Sequence, residues 1–477
     1  MLTLTTSYTI LFLVVTLYLN FNNKGVNSKP ISFVIIIGTA LIIYSLNYLY
    51  MSFYLANYLP AFSLYSSNPS GIINSAVVLS ITDFWFYWPF LFVFVTITSL
   101  TLIYVFSYNE SELNSFTLYV YTITASAIVI FNTNSILLFF VAYELLLVPS
   151  FLILYSYAKT RKAVEAAFLM FFWTQFGAVF LIFNFQYLFF VLNISKFSEL
   201  NLINLSSFEL NFLFVTLVFG FGVKFPVWPF YDWLPKAHVE ASTNFSIFLS
   251  GVLVKFAFFG FLKYLVNLGL DTSPAWITPF ILIGFLDSSF KVYYQIDLKK
   301  LVAYSTVIEM HWLLFSVISG NSFFWVAGFA MMISHALLSS NFFLVIDSIT
   351  RRFKTRLTTE LSSIAYIVPN LYWAILIILL IFLGFPGSLL FISEVLFFST
   401  LLDLNFFLFF IVFFLSYFFV PSCFFKSWFL LMFGGNKQLF GRLIGNSSVD
   451  LDSTESLLLL FGIILIFWMG FSFQFFF

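Results

Sequence analysis

The sequence predicts an all-α polytopic membrane protein with about fourteen transmembrane helices, two of them broken. Three observations carry this. Of 477 residues, 62% are hydrophobic and only 8% charged, against about 25% charge in an ordinary soluble domain. The apolar residues gather in runs of about the 20 residues that a spanning helix needs. The basic residues then fall almost wholly on alternate loops. A closed barrel would instead show short strands of alternating polarity, and only helices and barrels satisfy their backbone in lipid.

The runs lie at roughly 2–21, 31–56, 83–107, 115–131, 134–157, 163–193, 209–230, 246–268, 274–292, 300–319, 322–347, 364–402, 405–431 and 455–475. The first lacks the charged flank and small-residue cleavage site of a signal peptide. The seventh carries the Gly/Pro frame GFGVKFPVWPF (220–230), with Pro226 and Pro229 directly after Lys224. The twelfth is interrupted at Gly384, Phe385, Pro386 and Gly387. Broken membrane helices line cavities and ion sites. Segment 57–80 is long, polar and free of charge, and reads as a loop.

With fourteen spans both termini lie on one side. Fifteen of the 20 Lys and Arg then fall in the loops or span ends of the opposite side, against one, Lys196, on the side of the termini. Lys224, Lys255, Lys263 and Lys291 lie within spans. This is the positive-inside pattern, which makes the basic side the cytoplasm or an organelle matrix.

Composition excludes several functions. There are 20 basic and 20 acidic residues, so no excess exists to neutralise phosphates and nucleic acid is not a partner. The single cysteine, Cys423, cannot form an internal disulfide, an iron–sulfur cluster or a cysteine zinc site. No dinucleotide or phosphate-loop motif occurs, no carboxylate cluster offers a cation cage, and no pair of the three histidines has persuasive metal or haem spacing. The 74 phenylalanines read as lipid-facing or packing residues.

The informative residues are ionisable groups deep in the spans, where a charge costs about 2.5–3.5 kcal/mol on insertion scales. Glu144 lies in the fifth span, five residues before Pro149. Lys224 precedes the break of the seventh and Lys255 is central in the eighth. Glu309 and His311 lie in the tenth, His335 in the eleventh, and Glu394 eight residues after Pro386. Lys263, Lys291 and Glu165, near span ends, read as snorkelling or structural pairs. A buried Glu–Lys pair that opens and closes changes whether the lysine keeps its proton, so the series reads as a proton relay without a metal.

At these residues the chain resembles a known family. KFPVWPFYDWLPKAHVEA (224–241), GVLVKF (251–256) and DLKKLVAYST (297–306) are similar to the signature of the antiporter-like subunits of respiratory complex I. The resemblance runs from about 115 to 430. GFPGSLLFISE (384–394) supplies Glu394, and RRFKTR (351–356) follows His335. Both resemble the subunit 4 branch; branches 2 and 5 would carry Lys at the last position. The resemblance implies a proton-translocating subunit of NADH:ubiquinone oxidoreductase in the mitochondrial inner membrane, with both termini toward the intermembrane space. It implies a relay of Glu144, Lys224, Lys255, His335 and Glu394, with Glu309, His311 and His238 as further members. It implies two inverted five-helix repeats, over 111–270 and 271–432, between N-terminal helices (1–110) and a last loop and helix (433–477). No cofactor is expected in this chain; NADH, FMN, iron–sulfur clusters and ubiquinone belong to other subunits. The expected partners are membrane lipids and other membrane subunits, especially antiporter-like subunits 2 and 5. Two departures stand out: Glu309 replaces an expected histidine, with His311 two residues on, and Ser242, Thr243 and Asn244 replace an expected Pro/Gly segment. The alternatives are a stand-alone cation/proton antiporter subunit and a non-transporting scaffold.

Overall fold

A computed structural model describes residues 72–108, 113–158, 160–202, 205–268, 276–318, 322–404, 406–433 and 450–473. The first two expected spans, segment 57–71, and the loop bearing Lys437 and Arg442 lie outside the described residues.

The described chain is almost wholly helical, and only two isolated β-bridges occur among the described residues. The helices are α1 (Ile72–Tyr108), α2 (Leu113–Asn132), α3 (Ile136–Ser156), α4 (Arg161–Gln186), α5 (Ser207–Lys224), α6 (Trp233–Glu240), α7 (Thr243–Leu268), α8 (Ile277–Tyr293), α9 (Leu298–Ile318), α10 (Ser322–Phe353), α11 (Pro369–Phe382), α12 (Leu389–Leu404), α13 (Phe406–Phe433) and α14 (Ser453–Phe471). Among the described residues ten helices are long and apolar enough to cross a membrane. The expected twelfth span is two shorter apolar helices, α11 and α12, on either side of its break.

One boundary differs from expectation. Helix α1 begins at Ile72, inside the segment read as a loop. Between Gly71 and Pro89 nothing in the sequence stops a helix, and polarity alone is a weak breaker.

Helices α9 and α10 form the axis of the molecule. The most apolar stretch of each is completely buried, whereas that of α13 is only 28% buried, with Phe406 (69%), Phe407 (74%) and Phe410 (60%) exposed. Helix α10 packs along α9, α12 and α14. An axis this deeply enclosed can carry polar side chains away from lipid.

Among the described residues, the loops assigned to the basic side gather at one end. Thr160 donates to Glu240 at 3.2 Å, Lys299 Nζ to the Ala241 carbonyl at 3.0 Å, and Arg356 to the Val239 carbonyl at 2.7 Å. Arg356 also pairs with Asp297 at 2.6 Å. Loops of the other set meet likewise: Ser135 bridges Lys196, and Lys263 donates to the Thr133 carbonyl at 2.6 Å. Lys263 therefore caps the last carbonyls of α2, where a cation complements the helix dipole, and does not reach out to solvent. Lys291 pairs with Asp287 (3.0 Å) and Asp232 (3.3 Å), and Arg161 with Glu165 (3.0 Å).

Helix α14 is held at the basic end by charge. Glu455 closes a capping box with Asp452 and takes both Arg351 and Arg352, the latter at 2.6 Å. Arg351 reaches Asp347 at 2.7 Å, and Asp347 accepts from Tyr104 of α1. The Glu455 side chain is 4% exposed, so removing it takes a carboxylate from two guanidinium groups, of which Arg351 keeps Asp347. Glu455→Ala is expected to destabilise the fold by about 3–5 kcal/mol, measured by denaturant unfolding in detergent. A loss below about 1 kcal/mol, the range of an exposed pair, would show that the clamp does not hold α14.

Candidate functional site

Several of the buried ionisable groups sit where helices lose their regularity. The first is at α3, whose α-helical hydrogen bonding is interrupted at Leu146. Pro149 has no N–H for the Leu145 carbonyl. Glu144 occupies the turn just before this fault. Helix α5 ends at Lys224, and Phe225 turns to extended backbone. Pro226 and Pro229 stop the helix there, so the expected break of the seventh span follows Lys224 directly. The two groups meet as an ion pair of 2.9 Å, with side chains 13% (Lys224) and 19% (Glu144) exposed. Lys224 Nζ also lies 3.9 Å from the centre of the Tyr143 ring and 3.4 Å from the Tyr143 carbonyl oxygen. Glu144 Oε2 has no partner among the described residues, so only one carboxylate oxygen holds the lysine.

Behind this pair is a cavity of about 30 Å³, lined among others by Lys224, Thr174, Trp233, Leu253 and Val254. That is room for about one water. It extends from Lys224 to the turn of α7 just before Lys255. In that turn, Leu249–Leu253, the helix widens to π geometry, a feature often found at functional sites. Lys255 is buried, and its Nζ donates to the Ser250 carbonyl. Ser339 of α10 donates to the Ser250 hydroxyl at 3.2 Å.

Helices α9 and α10 supply the next pair. Glu309 Oε2 is in direct contact with His335 Nδ1, and both residues are buried. Lys255 lies within charge–charge reach of Glu309 and of His335. Glu394 follows on α12, where Tyr417 donates to its Oε2 at 2.7 Å. Tyr417 sits in a second π turn, Leu415–Phe419. The break before α12 brings Gly384 against the same carboxylate at φ +69°, so a Cβ there would collide with Glu394 Oε2. Gly387 also has positive φ, at +93°. Glycine supplies this left-handed backbone without strain, and Pro386 between them prevents the helix from running through.

The remaining candidates are placed differently. His311 accepts from the Trp228 backbone N–H at Nε2 (3.1 Å), and its Nδ1 faces the Val307 carbonyl at 2.8 Å. Both ring nitrogens are thus engaged by backbone, tying α9 to the loop after α5. Gly284 leaves room for this contact, since a Cβ there would meet the ring. His238 on α6 is buried, stacked on Phe343 at 4.9 Å, and neither ring nitrogen has a partner among the described residues. The structure brings together Glu144 with Lys224 and Glu309 with His335; it gives His238 no polar side-chain partner among the described residues. Among the described residues no group of three or more metal-ligating side chains forms.

Sequence reasoning passed over Tyr143, Ser250, Ser339 and Tyr417. Tyr417 did leave a signal: with Ser416 it is the polar exception in an apolar, Phe-rich run over 406–420. Ser250 left none, because its backbone carbonyl takes the lysine. Gly384→Ala is expected to destabilise by more than about 1 kcal/mol, the scale for Ala forced to positive φ. It should also displace the Glu394 side chain, measured by unfolding in detergent and a structure of the variant. An unchanged carboxylate position would refute the contact.

This is the geometry of a membrane protein that carries a chain of buried acid and base groups between broken helices. Residues 133–419 match the family described as NADH:quinone oxidoreductase/Mrp antiporter, transmembrane, and the chain belongs to that family. Within the family its similarity runs to the chain 4 type. It is 36% identical over 274 residues to NADH-ubiquinone oxidoreductase chain 4 of Paramecium tetraurelia, covering 57% of either chain. It is 31% identical over 350 residues to the chain 4 of Chondrus crispus, covering 72% of this chain and 69% of that one. The match thus spans little more than half the length of the Paramecium relative. In fold, the chain is similar to a chain of the Mrp complex of Dietzia (TM-score 0.72, 16% identity, 82% and 81% covered). It is equally similar to a chain of respiratory complex I of Thermus thermophilus with bound NADH (TM-score 0.71, 20% identity, 82% of each covered).

Proposed function

We propose that the chain is a proton-translocating membrane subunit of an NADH:ubiquinone oxidoreductase. One observation carries this: acid and base side chains recur through an apolar interior, each at a helix fault or in a pair, in a chain of this family. An ion pair and a carboxylate–imidazole contact separated by a buried lysine serve poorly as mere adhesive, because burying charge costs about as much as pairing returns. They serve well as sites that hold and release protons.

The whole protein has fourteen spans, with inverted repeats over 111–270 and 271–432. It lies in the mitochondrial inner membrane, with the basic end toward the matrix and both termini toward the intermembrane space. Neighbouring subunits, among them antiporter-like subunits 2 and 5, complete the membrane arm. NADH, FMN, iron–sulfur clusters and ubiquinone act in other subunits. Protons enter from the matrix. Opening of the Glu144–Lys224 pair lowers the proton affinity of Lys224. The charge passes through water to Lys255, His335 and Glu394 and leaves on the far side. Each charge moved against 100 mV requires about 2.3 kcal/mol, more than an exposed ion pair supplies; this pair is largely desolvated.

The fold likeness to the Mrp complex supports a second reading, a subunit of a stand-alone cation/proton antiporter. The two separate on a native gel stained for NADH oxidation. This chain in a very large active band supports the first; its presence only in a smaller inactive band, beside an intact large one, supports the second. Within the assembled complex, Glu144→Gln is expected to lower the pumped-proton yield while electron transfer continues. An unchanged yield would remove Glu144 from the mechanism.

A further inference from the structure

We infer that Glu309 and His335 act as one carboxylate–imidazole couple, in which Glu309 fixes the ring so that His335 Nε2 is the atom that takes the proton from Lys255. This rests on reading the chain as a proton-translocating subunit and adds a residue, a tautomer and a charge balance to it. Position 309 is where the family resemblance leads one to expect histidine, and this chain carries a carboxylate there.

With Glu309 ionised, the contact sets the tautomer. His335 Nδ1 faces Glu309 Oε2. An ionised carboxylate only accepts, so Nδ1 carries the hydrogen and the neutral ring bares its lone pair at Nε2. That atom is fully buried and has no hydrogen-bond partner among the described residues. A buried acceptor without a partner calls for an explanation, and a site that receives a proton supplies one. The donor is close. Ser339, four residues along α10 from His335 and so on the same helix face, donates to the Ser250 hydroxyl at 3.2 Å. Ser250 belongs to the π turn whose carbonyl holds Lys255 Nζ. An ammonium has three hydrogens; one is given to Ser250, and the others are available to a bridging water.

The charges balance. Before transfer the lysine is +1, the carboxylate −1 and the ring neutral. Lys255 then gives up an N–H bond and becomes a neutral amine, while Nε2 gains one. The couple now holds two protons and no net charge, whichever side of the Nδ1···Oε2 contact the inner proton occupies. At no point does an uncompensated imidazolium form in the apolar interior, where an unpaired charge is costly. Glu394 lies within charge–charge reach of Glu309. When the Nε2 proton passes to the Glu394 carboxylate, the trio is left at −1, and that charge draws the next proton onto Lys255. With a neutral side chain at 309, the imidazolium would lose the counter-charge in contact with its ring. Glu309 is thus a positioning residue for His335.

Glu309→Gln tests this in the assembled complex reconstituted into vesicles, because its amide oxygen still accepts from Nδ1–H and only the charge is lost. The variant is expected to keep NADH-linked electron transfer and to lose the same share of pumped-proton yield as Glu144→Gln. Glu309→Asp should restore at least half of that loss. Full yield in Glu309→Gln beside a lowered yield in Glu144→Gln overturns the couple and leaves the subunit reading standing. Full yield in both overturns the reading and the couple together. Where Glu309→Gln fails to assemble, Glu309→His decides, since it places there the residue type expected from the family without the negative charge. A lowered yield supports the need for the carboxylate, and full yield overturns it.

Discussion

A charge inside an apolar interior needs partners, and in this protein the backbone supplies many of them by giving up helical regularity. Glu144 precedes a fault in α3. Lys224 is the last residue of α5. Lys255 takes a carbonyl of the π turn in α7. Glu394 follows the Gly384–Gly387 break and meets Tyr417 in the π turn of α13. A regular helix has its carbonyls engaged, so only a fault offers polar groups at depth. Glu309 and His335 are the exception. They stand on unbroken helices, and their partners are therefore each other.

The same constraint shapes the rest of the molecule. Polar groups at depth must be shielded from lipid, so α9 and α10 are enclosed on all sides. Enclosure requires the peripheral helices to stay in place, and the basic end does this with Arg351, Arg352 and Glu455 for α14 and with Arg356 and Lys299 for the loops. The phenylalanine-rich surface of α13 needs no such fixing, because lipid and side chain are equally apolar there. Paired charges thus serve at two depths, through different residues. The clamps lie at the end of the bundle, and the Glu144–Lys224 and Glu309–His335 pairs lie in its interior.

Much of this was legible in the sequence. Length and apolarity set the spans because a bilayer has one thickness. The breaks at Pro226 and Gly384 through Gly387 were legible because proline lacks a donor and glycine alone takes positive φ without strain. Glu144, Lys224, Lys255 and Glu394 stood out because charges are rare in such runs, and the grouping of basic loops at one end agreed with their spacing along the chain. What the sequence alone could not decide was pairing. Glu309 and His335 are 26 residues apart on different helices, Tyr417 reaches back to Glu394, and His311 turns to the backbone of Trp228. The π turns also left no residue signature. Composition and local stereochemistry determine where a helix must run and where it must break; only tertiary packing, which brings distant faces together, decides which buried group answers which.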